Sequence, residues 1–186
     1  MKEIKVPFLQ EELQTLRIGD MILLTGTIYT ARDAAHKKLI QMIKEEKPLL
    51  FDMDGQLIYY CGPSPAKSEQ IIGAAGPTTS SRMDEVTEEL LKRGIKGTLG
   101  KGARSEAAKK LFHQYQAVYL VAVGGVAALL SQKIKKAEVV AFTELGAEAI
   151  YRFQVAKFPC IVAYDFLGGD LFQTEIEKYK NILRTK

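Results

Sequence analysis

The stretch GDMILLTGTIYTARDAAHKKL (Gly19–Leu39) changes its hydrophobic period half-way along. Met21–Thr27 is an apolar run rich in Ile and Leu and of strand length. From Thr30 a helical pattern continues to about Glu46, with Leu39, Met42 and Ile43 on one side. Thr30 is a suitable N-cap, and Asp33 three residues on completes a variant of the capping box. A strand, a polar turn and a helix in that order form one α/β unit.

The same unit recurs downstream. Gln56–Tyr60 reads as a strand ended by Cys61-Gly-Pro-Ser-Pro65, which can continue no ladder. Ile71–Ala75 reads as a short strand stopped by Gly76-Pro77. The next helix opens at Thr78-Thr-Ser-Ser81, runs through Leu91 and has Gly94 as its C-terminal glycine. Lys96–Leu99 is a strand, followed by Gly100-Lys101-Gly102 and a helix capped by Ser105. Val118–Val123 is an apolar strand that enters a small-residue helix at Gly124. Val139–Phe142, Ala149–Val155 and Ile161–Tyr164 add strands, and Leu171–Leu183 is a polar helix within a terminal element at 171–186. The pattern predicts one α/β domain with a mixed sheet over residues 1–186, with roughly seven or eight strands and about five helices.

Bulk composition narrows the function. With 47% hydrophobic and 26% charged residues the 186-residue chain matches an ordinary globular protein. The longest apolar stretch, Ala117–Leu130, is broken by Gly124 and Gly125, and no run approaches the roughly 18–20 residues of a membrane span. The N-terminus, MKEIKVPFLQEEL, is polar where a signal peptide would be apolar, so the reading is cytoplasmic. A net charge of +4, scattered over lysine pairs on amphipathic faces, argues against nucleic acid as a partner. Cys61 and Cys160 lack CxxC spacing and read as small buried residues, neither a zinc site nor a complete iron–sulfur ligand set. No metal-ligating or cofactor-binding residue is therefore assigned to this chain.

Three turns place a cation at or beside the start of a helix: Arg32 just after Thr30, Arg82 four residues after Thr78, and Lys101 between two glycines. A helix N-terminus carries partial positive charge and prefers an acid, so a cation there is unfavourable unless an anion joins it. Free N–H groups and a guanidinium together form an anion site. Each case has an ordinary alternative, since Arg32 has Asp33 beside it and Arg82 has Asp84 and Glu85. Three in one small domain point to a ligand with more than one negative group, such as a dicarboxylate. Gly100-Lys101-Gly102 lacks the frame of a P-loop, and Gly124-Gly125 reads as close strand–helix packing.

The segments GDMILLTGTIYTARDAAHKKL, IYYCGPSP, GAAGPTTSSRMD, TLGKGARS, VAVGGVAAL and FTELGAEAI follow one another as in the β-subunit, or C-terminal half, of class I (iron–sulfur) fumarases and the related L-tartrate dehydratases. The chain resembles that family from about Ile18 to Phe172, and TARDAAH with GPTTSSRMD carries the specificity. The resemblance implies a swivelling β/β/α domain that closes over a 4Fe–4S cluster bound by a partner α-subunit, not by this chain. It implies a hydro-lyase active only with that partner, as an α2β2 heteromer dehydrating (S)-malate to fumarate in the tricarboxylic acid cycle. By the same resemblance Arg32 and Arg82 bind substrate carboxylates, Lys101 contacts substrate and assists catalysis, and Thr78 takes or delivers the proton beside the carboxylate. Thr78 or Thr79 would otherwise cap the helix that holds Arg82. His36, four residues after Arg32, is placed to face the same site, with a helix-surface residue as the favoured reading. A loop from Pro63 to Gln70, short for a tartrate dehydratase, favours the fumarase reading. The alternatives are a tartrate dehydratase β-subunit and, in another class, a non-catalytic anion-binding module.

Overall fold

A computed structural model describes residues 1–184; the last two residues of the predicted terminal element lie outside the described residues. Strand β1 (Lys2–Val6) runs parallel to β2 (Met21–Thr30), with the one-turn helix α1 (Gln10–Leu13) between them in sequence. Three strand–helix–strand steps follow. Helix α2 (Asp33–Lys44) leads to β3 (Leu57–Tyr59), α3 (Asp84–Lys92) to β4 (Gly97–Gly100), and α4 (Glu106–Gln114) to β5 (Val118–Val121). Each successive strand pairs parallel with the one before, as a helical crossover requires. Helix α5 (Ala127–Ser131), β6 (Ile134–Ala141), β7 (Ile150–Tyr164) and α6 (Leu171–Arg184) complete the described chain.

Strand β7 makes the sheet mixed and closes it. It runs antiparallel to β6, β5 and β2, and its Ile161 pairs with Met21 on one side and Val121 on the other. The pairings therefore join β2, β3, β4, β5 and β7 into a ring. Alternation along the strands divides the side chains into two cores. Leu57, Tyr59, Leu99, Val118, Leu120, Phe153 and Phe158 form one cluster with Ile22, Leu24 and Ile28 of β2. Ile58, Tyr60, Tyr119 and Tyr164 point the other way, onto Ala35 and Leu39 of α2, Leu90 and Leu91 of α3, and Phe112 of α4. Three helices thus cover one face of the sheet.

The structure corrects the sequence reading at several places. In β1 only Ile4 and Val6 are buried, a pattern too short to stand out in a polar N-terminus. The strands predicted at Ala149–Val155 and Ile161–Tyr164 are one, because Lys157 adopts a positive φ and donates its N–H to Thr25 Oγ1 opposite a bulge in β2. Ile71–Ala75 is not a strand. Its backbone bonds instead to the preceding loop and to α5, through Gly73 N–H to Ser64 O and Ala75 N–H to Ala127 O. Thr30 is not an N-cap: it is the last residue of β2, and its hydroxyl oxygen accepts the N–H of Tyr151. The start of α2 is served by Glu148, whose Oε2 accepts the Ala34 N–H at 3.0 Å.

Candidate active site

The carboxyl ends of the parallel strands β2, β3 and β4 lie side by side and carry the candidate residues on the loops that follow them. Arg32 follows β2 by two residues and precedes α2 in extended conformation. Its Nη2 lies 3.5 Å from Glu148 Oε1, and its buried Nε has no hydrogen-bond partner. Nη1 passes over Gly62, just beyond β3. A methyl group on Gly62 would come within 2.8 Å of that nitrogen, so the glycine makes room for the guanidinium.

Thr78 and Lys101 are joined through their backbones. The Thr78 N–H donates to Tyr60 O at 2.7 Å, the Lys101 N–H to Thr78 O at 3.1 Å, and the Ser80 N–H to Lys101 O at 3.0 Å. Thr79 and Lys101 form a parallel bridge, so residues 78–80 extend the ladder beyond the end of β4. Both glycines around Lys101 have steric reasons. A Cβ on Gly100 would sit 1.9 Å from Ser80 Oγ, and Gly102 has φ +78°. The exposed Lys101 side chain reaches toward the Gly124-Gly125 turn after β5.

Arg82 lies in a 3₁₀ turn, Ser80–Met83, ahead of α3 and not within that helix. Its Nε donates to Asp33 Oδ1 at 3.0 Å and its Nη2 to Asp33 Oδ2 at 2.6 Å. The ion pairs expected from sequence proximity are therefore not the ones formed. Asp33 binds Arg82 and not Arg32, Arg32 turns to Glu148, and Asp84 is taken by Arg104. Neither threonine caps through its side chain. Thr79 is the N-cap of the 3₁₀ turn without a side-chain bond, and among the described residues no partner for the half-buried Thr78 hydroxyl is found. Arg32 and Arg82 meet through Asp33, Thr78 and Lys101 through the ladder, and Tyr60–Gly62 connects the two halves. Three cations and two carboxylates leave the cluster net positive.

Beneath these residues lies a pair that the sequence reading missed. Arg104 has a fully buried side chain, 0% exposed, set among the rings of Tyr60, Phe112 and Tyr119. Its Nε donates to Asp84 Oδ1 and its Nη2 to Thr87 Oγ1, while Asp84 Oδ2 accepts the Ser105 N–H at 2.8 Å. The Tyr119 hydroxyl lies between Ser80 Oγ and Gly102 O, at 2.9 and 2.6 Å. Both arrangements tie the Thr78–Asp84 segment to the Lys101–Ser105 segment. Asp84 and Arg104 are twenty residues apart, and no local periodicity pairs them.

His36 is not on the surface. It is 1% exposed, stands edge-on to Tyr60, and its Nδ1–H donates to the Arg32 carbonyl at 2.8 Å, leaving Nε2 buried without a partner. Burial lowers its pKa to about 4, against smaller raising effects from the Arg32 carbonyl and Asp33. The unfolded chain thus binds a proton below about pH 6.5 that the folded chain refuses until about pH 4. Stability falls as pH drops through that window, by about 3 kcal/mol from this residue. Urea midpoints at pH 7 and pH 4.5 check this: the gap between them narrows in His36→Gln and stays unchanged if His36 is not the proton acceptor. Cys61 and Cys160 are both buried, and burial pushes the Cys61 thiol up to about 12 and raises that of Cys160. Among the described residues no three of His, Cys, Asp and Glu converge as a metal site, and no helix is long and apolar enough to cross a membrane.

The family model described as Fumarase C-terminus matches residues 2–175. A protein of Methanocaldococcus jannaschii, provisionally named L(+)-tartrate dehydratase subunit beta, is 41% identical over 175 residues, 91% of this chain and 89% of its own. The anaerobic class I fumarate hydratase of Escherichia coli is 38% identical over 96% of this chain, but this region is only 32% of its length. The L(+)-tartrate dehydratase subunit beta of the same organism is 33% identical over 91% of this chain and 86% of its own. The chain thus spans about a third of the fumarate hydratase it matches and most of each tartrate dehydratase subunit.

Proposed function

Because the chain belongs to the fumarase C-terminal family, we propose that it is the β-subunit of an iron–sulfur hydro-lyase that interconverts (S)-malate and fumarate. The observation that carries this reading is the gathering of Arg32, Arg82, Lys101 and Thr78 at one end of the sheet, with an excess of positive charge. The relatives named as subunits support a partner chain, and the fumarate hydratase, three times as long, supports a site completed by sequence outside this domain.

The chemistry assigns work to each side chain. Taking a proton from the carbon beside a carboxylate spreads negative charge onto that carboxylate, and guanidiniums in place beforehand stabilise it. Arg32, whose guanidinium is only weakly engaged by Glu148, takes one carboxylate, and the outer edge of Arg82 takes the other. Thr78, once ionised, accepts the carbon-bound proton through an oxygen that no cap engages, and its backbone is bonded directly to that of Lys101, the nearest cation along the ladder. A 4Fe–4S cluster, bound by the partner, would supply a Lewis acid for the leaving hydroxyl. The buried thiols of this chain do not fit as its ligands, and no residue here is assigned to it.

A second reading, tartrate dehydration, is favoured by the 41% identity to the M. jannaschii protein and by relatives that are separate subunits of similar length. The anaerobically assembled complex presented with L-malate and L-tartrate decides between them: a higher kcat/KM for malate supports the proposal, and a higher value for tartrate replaces it. Thr78→Ala tests the proton-transfer role in the same complex. It is expected to lower kcat by about 10²–10⁴, the usual worth of a general base, with the unfolding midpoint little changed. A variant that keeps near-full kcat removes Thr78 from the chemistry.

A further inference from the structure

We propose that Asp33 is the positioning residue for Arg82, and that it fixes which edge of that guanidinium meets the substrate; this rests on the reading of Arg82 as a carboxylate clamp. Arg82 stands on a single 3₁₀ turn with 47% of its side chain exposed, a setting in which a free arginine samples many rotamers. Asp33 comes from a different element, the first turn of α2, where the helix dipole favours an acidic side chain.

The fork between them is specific. Asp33 takes the side edge of the guanidinium, Nε and Nη2, at 3.0 and 2.6 Å. A guanidinium has a second bidentate edge, Nη1 with the remaining proton of Nη2, and among the described residues nothing is bonded there. Asp33 therefore holds the plane of the ring and leaves the outward edge for a carboxylate. It also follows Arg32 directly in sequence, so one dipeptide supplies the first clamp and aims the second. An acid inside a site built for anions is explained by this role, whereas an acid serving only the α2 dipole has no need to reach Arg82.

A double-mutant cycle in the complex assembled with the cluster-bearing subunit separates aiming from stability. Asp33→Asn is expected to lower kcat/KM for L-malate about tenfold in the wild-type background, and less than about twofold in an Arg82→Lys background, where the fork is already lost. Equal losses in both backgrounds would reduce Asp33 to a helix residue, and no loss in the wild-type background would overturn the inference as well. If Arg82→Lys alone leaves kcat/KM intact, the clamp reading of Arg82 fails first and takes this inference with it.

Discussion

Arg32→Lys is expected to lower kcat/KM of the assembled enzyme by about 10²–10³, the range seen when one charge-stabilising donor is removed from a reacting site. Lysine keeps the charge but offers no planar fork, so it cannot hold a carboxylate by two parallel bonds. Arg32 is poorly used within its own domain: a 3.5 Å contact to Glu148 and a buried Nε without a partner. A buried donor left unpaired is costly, so the guanidinium is not placed here for the stability of the domain. The same observation separates function from folding. With so little bonded to the guanidinium, the unfolding midpoint should move only slightly while activity collapses. Steady-state kinetics on malate, with a urea titration of the same preparation, reads both. Retention of kcat/KM within about threefold would show that the guanidinium is not a clamp.

Arg104 should behave in the opposite way, with a large loss of stability. Its side chain is fully buried and every polar contact is made within the domain, to Asp84, Thr87, Tyr60 and Thr98. Removing one partner of such a pair leaves a charge in the interior without compensation, at a cost of about 3–5 kcal/mol. Asp84→Asn is the cleaner change, since it preserves shape and strands the guanidinium among three aromatic rings. Replacing both, as Asp84→Asn with Arg104→Met, should cost less than the sum of the single changes, because the second removes the charge the first had stranded. Denaturant unfolding of the four proteins measures this. Additive effects would mean that the two side chains are energetically independent despite their contact.

The sequence made the repeated strand–turn–helix unit legible because amphipathic helices and apolar strands of ordinary length have clear periods. Ser105 is a cap where predicted, its Oγ accepting the Ala108 N–H, and Gly94 ends α3 with φ +98°. The ring could not be read this way. Its closure depends on β7 continuing through Lys157 and Pro159 at a bulge, and the local signals there argue for a break. The candidate site divides similarly. The positions of Arg32, Thr78, Arg82 and Lys101 stood out from charge at turns and from family motifs, but their partners did not. Asp33 lies beside Arg32 in sequence and bonds to Arg82, 49 residues away. Thr78 looked like a cap because threonine caps well, yet its backbone is drawn into the ladder beyond β4 before the turn begins. Arg104 was overlooked and His36 was read as a surface residue because charged or titratable side chains are normally solvated, and only the tertiary fold buries these two.

On the proposed function, this domain contributes the substrate clamps of a site completed by a second chain. The most direct test is anaerobic assembly with the cluster-bearing α-subunit, followed by fumarate formation from L-malate recorded by ultraviolet absorbance. Turnover is expected to need both chains and iron and to be nearly abolished by Arg32→Lys. Turnover by the α-subunit alone at the rate of the complex would contradict that expectation, as would a complex whose activity is indifferent to Arg32.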